Sequence, residues 1–65
     1  MSGISPFDRK NVAEYARYEI GREYGDDAAL VEDTYRSVLR SDAAYWHWKP
    51  KRDAFFAANK GRDGP

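Results

Sequence analysis

Tyr45-Trp46-His47-Trp48-Lys49-Pro50-Lys51-Arg52-Asp53-Ala54-Phe55-Phe56 is the stretch on which the fold of this chain turns. It holds five of the ten aromatic residues, the single His and three of the eleven basic residues. If residues 43–56 formed one helix, a step of ~100° per residue would put Ala44, Trp48 and Phe55 on one face. Tyr45 and Phe56 would flank that face, and Trp46 would point to the opposite side. Pro50 opposes this arrangement. It has no N–H to donate, its ring clashes with the carbonyl of Trp46, and it pushes Lys49 out of helical geometry. The expectation is therefore a short helix over 42–48 followed by another over 50–60, with a single kinked helix as the alternative.

Upstream of this stretch, Ser41 and Asp42 are both N-cap residue types and predict a helix start at Ala43. Further back, Leu30, Val31, Thr34, Tyr35 and Val38 recur at i, i+1, i+4, i+5 and i+8, with Leu39 at the edge, which predicts a helix over about 27–40. Asp26-Asp27 supply its cap and suit the positive end of its dipole. Glu32 and Arg36 stand four apart in the favourable order, and Arg36 and Arg40 bring positive charge toward its C-terminal end.

The first element has an equally local start. Ser5 caps, Pro6 takes the first helical position, and Asp8 sits in the first turn. Val12, Ala13, Ala16, Ile20 and Tyr24 fall on one side of a helix over about 6–24. Gly25 is placed to end it in a left-handed conformation. Gly21 weakens its last turn by ~1 kcal/mol relative to Ala and marks a close helix contact. At the other end, Lys60-Gly61 read as a helix terminus, and residues 61–65, like residues 1–5, as loose. No strand-like alternation and no internal repeat is present. The expected fold class is all-α: one domain over 1–65, a small three- to four-helix bundle whose third helix is broken or kinked at Pro50.

At 65 residues without a single Cys, the chain has neither a disulfide framework nor a thiolate metal site to stabilise it. Its aromatic content has a plain structural explanation, because small chains need large side chains to build a core. One His and no Cys are also a poor ligand set for zinc. Beginning at Met1 and closing in a loose tail, the chain is expected to be a complete small open reading frame. It shows no secretory signal and no apolar run of ~18 residues, so a cytoplasmic protein without a membrane span is expected.

The formal net charge is zero, which argues against a general nucleic-acid packaging role. The charge is unevenly distributed: residues 1–42 carry nine acids against six bases, and residues 43–65 carry five bases against two acids. The two halves either attract each other within the fold, or the basic end meets an acidic protein surface or a phosphate backbone.

Catalysis finds little footing. There is no Cys, and His47 between two tryptophans reads as a packing residue rather than a general base. Ser37 and Ser41 have no nucleophile-elbow context. Asp26/Asp27 and Glu32/Asp33 are explained by helix starts and solvated faces, and no calcium loop or glycine-rich phosphate loop is present. A non-enzyme without cofactor or metal is expected.

Binding remains. Trp46, Trp48, Lys49, Lys51 and Arg52 are the expected partner contacts, with Tyr18, which points away from Val12, Ala16 and Ile20, as an outlying member. Exposed Trp, Tyr and Arg are the usual anchors of protein interfaces. The expected function is a small non-catalytic helical binding module, an inhibitor, adaptor or accessory subunit. Its partner would be a larger, acidic protein surface or a second copy of itself. The alternative is a weak nucleic-acid binder that uses the same stretch, stacking aromatics on bases while Lys and Arg track phosphates. A helix-turn-helix with its turn at Gly25 is electrostatically wrong, because its recognition helix would carry Asp27, Glu32 and Asp33 toward phosphate.

Overall fold

A computed structural model describes residues 3–60, so the tail expected over 61–65 and the first two residues lie outside it. The described chain is all-helical and has three helices: α1 over Pro6–Glu23, α2 over Ala28–Arg40 and α3 over Asp42–Lys60.

Local chemistry sets the helix starts. Ser5 takes extended dihedrals, and its hydroxyl accepts from the backbone N–H of Phe7 at 3.2 Å and of Asp8 at 3.5 Å. The Asp27 carboxylate accepts from the Leu30 N–H at 3.0 Å and starts α2. Ser41 is the only residue between α2 and α3. Its N–H donates to the Ser37 carbonyl at 2.8 Å, which closes α2, and its hydroxyl accepts from the Ala44 N–H at 3.3 Å, which opens α3.

Three expectations about backbone punctuation are corrected. The division at Pro50 is absent, and α3 is one helix that contains the proline. Both Trp46 and Pro50 are exposed, so the carbonyl that loses its donor lies on the water side of α3. On the inner side, Trp48 before the proline and Arg52 and Phe55 after it all contact α1, which holds both halves against the same helix. Gly25 does not end α1 in a left-handed conformation; the only positive-φ glycine among the described residues is Gly3. What Gly25 needs is space, because a Cβ there would stand 2.8 Å from the Gly21 carbonyl oxygen. Gly21 itself has nothing within 4 Å of its Cβ position, so it marks no close contact inside the chain.

The three helices form a flat arrangement rather than a bundle. The principal extents are 38 × 36 × 16 Å. The radius of gyration is 12.6 Å, against about 11 Å for a compact chain of this length. All three helices contact one another, α1 with α2 most extensively. α1 runs antiparallel to α2, since Arg9 meets the Val38 carbonyl and Arg17 meets Glu32. It runs parallel to α3, since Asp8 meets Tyr45 and Arg52 while Tyr18 meets Phe55.

The core sits where the helices converge, and it is small: Val12, Ala13, Ala16, Val38 and Tyr45. Ile4, Tyr35, Ala44 and Trp48 pack against it half-buried. Tyr45 is thus the one aromatic residue in the buried set. Phe7, Tyr18, Tyr24, Trp46 and Phe56 are exposed. Core packing therefore accounts for only part of the aromatic content, and of the two rings expected to flank the inner face of α3, Tyr45 is buried while Phe56 is exposed.

Candidate binding surface

The expected contact residues do not share one surface. α3 turns Tyr45, Trp48, Arg52 and Phe55, spaced three, four and three apart, toward α1. Trp48 packs half-buried on the core, its ring edge-on to Tyr15 with centroids 6.1 Å apart. Trp46 lies on the outer side, 55% exposed, T-stacked on Tyr45 at 4.9 Å. Lys51 is exposed too, but five residues beyond Trp46 it is turned ~140° away from it. Lys49 is engaged with Asp53 at 2.9 Å. His47 is exposed and stands edge-on to Trp48 at 5.4 Å.

Arg52 has a structural place. It is buried, and its guanidinium joins α3 to α1. Nη1 donates to Asp8 Oδ1 at 2.8 Å and to Asn11 Oδ1 at 2.9 Å. Nε and Nη2 donate to Asp53 Oδ1 at 3.0 and 2.8 Å. The Tyr45 hydroxyl donates to the second Asp8 oxygen. Asp8 thus accepts from two α3 side chains at once, and these bonds, Arg52 first and Tyr45 second, hold its carboxyl below the ordinary value of 3.8. Burial, and then the bond to Asp8, push the Tyr45 phenol up to about 12. Among the described residues, the attraction expected between an acidic first part and a basic last part is realised by the ion pair of Asp8 with Arg52.

A second surface was not foreseen. Between α1 and α3 an open groove of about 370 Å³ is lined by Asn11, Glu14, Tyr15, Tyr18, Phe55 and Phe56. Its floor is aromatic: Phe55 stands 5.3 Å from Tyr15, 5.7 Å from Tyr18 and 6.0 Å from Phe56. Tyr18 and Phe56 are about half exposed. Burial, then a hydrogen bond to Glu19, push the Tyr15 phenol up to about 12. Phe7 continues the Asn11–Glu14–Tyr18 side of α1 one turn earlier and is 88% exposed. The signal was present in the sequence: Phe7, Asn11, Glu14 and Tyr18 recur at four, three and four residues, off the Val12/Ala16 stripe. Of the expected contacts, only Tyr18 belongs to this groove.

Among the described residues, no group of three or more His, Cys, Asp or Glu could hold a metal ion, and no helix is long and apolar enough to cross a membrane. Compared with protein-family models, curated proteins and solved structures, the chain matches none.

Proposed function

We propose that the chain is a non-catalytic helical binding module, an inhibitor, adaptor or accessory subunit that docks on a larger protein through Trp46. The observation that carries this reading is the exposure of Trp46, at 55%, on a helix whose other tryptophan packs inward. Large aromatic rings held rigid on a helix make low-entropy anchors. Trp46 is held by its edge contact with Tyr45, and exposed Pro50 adds apolar surface one turn on. The Lys49–Asp53 pair beside them supplies a charged rim of zero net charge. The nucleic-acid alternative needs aromatic and basic side chains on one face, and Arg52, Lys49 and Lys51 are respectively buried, paired and turned away.

Trp46→Ala should keep the helical circular dichroism of the wild type and lower affinity for the partner by ~30-fold or more. The partner is to be captured on immobilised wild-type protein and then titrated with both forms. Equal affinity, or loss of helicity in the variant, would remove Trp46 as the anchor. Tryptophan fluorescence titrated with single- and double-stranded oligonucleotides runs alongside. Saturating quenching that weakens with salt would overturn the protein-docking reading in favour of nucleic acid.

A further inference from the structure

The exposed face of α1 reads the same in both directions. Phe7, Asn11, Glu14 and Tyr18 give aromatic, polar, polar, aromatic at spacings of four, three and four, the spacing of a helix-pairing seam. A two-fold axis between residues 12 and 13 would lay this face antiparallel on its own copy. Phe7 would then meet Tyr18, and Asn11 would meet Glu14, at both ends by one contact set. Interfaces between identical chains about a two-fold axis require this self-complementarity.

We infer that the groove between α1 and α3 is the self-association site, and that Phe7 of one copy fills the groove of the other, reciprocally. Three further observations support a second copy as the occupant. The groove flanks Tyr18, which the pairing sets against the incoming Phe7, so the 88%-exposed ring meets an open groove of about 370 Å³ floored by Tyr15 and Phe55. Charge also fits: the chain has zero net charge, and Glu14 carries its own counter-ion in Arg17 at 3.3 Å. The Asn11 amide can donate to the facing Glu14 carboxylate, so no like charges need meet in register. Area is adequate. At ~200 Å² per aromatic side chain, Phe7, Tyr18 and Phe56 leave about 400 Å² open on each copy. With the polar pair and the rims of Tyr15 and Phe55, two copies would cover roughly 1,000 Å², the lower edge of a specific interface. The dimer is accordingly weak and reversible. Gly21, the next position along the seam, has open space at its Cβ position and would not obstruct the approach of a helix.

The test is sedimentation equilibrium of the full chain over loadings of ~10 μM to ~1 mM. The expected result is a monomer–dimer equilibrium. Phe7→Asp should raise the dissociation constant ~100-fold or more, with helicity unchanged because Phe7 is exposed in the monomer. Trp46→Ala should leave dimerisation unaffected, which separates this site from the docking face proposed above. For register, Asn11→Cys and Glu14→Cys variants are mixed and oxidised in a chain that otherwise lacks Cys. The mixed disulfide should form in excess over either symmetric one. A monomer at every loading would overturn the inference and leave the groove to a different chain. A dimer indifferent to Phe7→Asp, or symmetric disulfides in excess, would overturn it as well.

Discussion

Asp8 shows how one carboxylate can organise a joint between helices. It stands in the first turn of α1, suits the helix dipole, and accepts from both Arg52 and Tyr45. Its acidity is increased on folding, so its contribution to stability is complete above the ordinary value of 3.8 and fades as pH falls through the lower folded value. Asp8→Asn should therefore cost about 1–2 kcal/mol at neutral pH, because buried Arg52 loses a charged partner. The gap to wild type should narrow as pH falls below ~4 in thermal melts followed by circular dichroism. A gap constant through the acid range would mean that the charge on Asp8 is not what α3 holds. Tyr45 has the opposite sense: its phenol titrates near 12, so its protonated contacts persist above the ordinary tyrosine value of 10.0 and are lost as pH rises through about 12. The Asp8–Arg52 link was not legible in the sequence. Its members lie 44 residues apart, and an Arg beside Lys49 and Lys51 reads locally as part of a basic surface.

At the scale of the elements, the helix starts were legible and the continuity of α3 was not. Caps are local chemistry, and Ser5, Asp27 and Ser41 do what their residue types imply. Pro50 carries a local penalty as well, but the contacts that oppose it come from α1 and are spread over both sides of the proline, where no local pattern announces them. A continuous helix makes the penalty measurable. Pro50→Ala should restore a donor to the Trp46 carbonyl and raise stability by about 1–2 kcal/mol, short of the ~3 kcal/mol of a full interior proline because the unfolded chain also gains freedom. In a small domain this is a rise of several degrees in the thermal midpoint. An unchanged midpoint would show that water already serves the Trp46 carbonyl as well as a peptide N–H does.

For the whole molecule, the decisive quantity is the size of the core. Its largest fully buried side chains are Val12 and Val38. Total stability for a domain of this length is of order ~3–10 kcal/mol. Val38→Ala removes two buried methyl groups and leaves a cavity, a loss of about 2 kcal/mol and a large share of that total. Urea titration should show a lowered midpoint, whereas Tyr24→Ala, at an exposed position, should change the unfolding free energy by about 0.5 kcal/mol or less. The candidate surfaces follow from the same flatness. A chain this flat leaves rings uncovered, and counting aromatics cannot tell which will be covered. Trp46 was placed outward by helix geometry once α3 was taken as continuous, but the groove at Tyr18 and Phe56 needed the relative placement of α1 and α3.

The single-residue connection at Ser41 makes α3 a lever. Its fulcrum has no slack, since one extended residue ends α2 and begins α3. Phe55 rides about 21 Å out along the arm at ~1.5 Å per residue. A rotation of ~10° at Ser41 would carry that ring some ~4 Å, a large part of its spacing to Tyr15. The width of the aromatic groove thus depends on the angle at a serine that does not line it, as well as on the Arg52 clamp to α1.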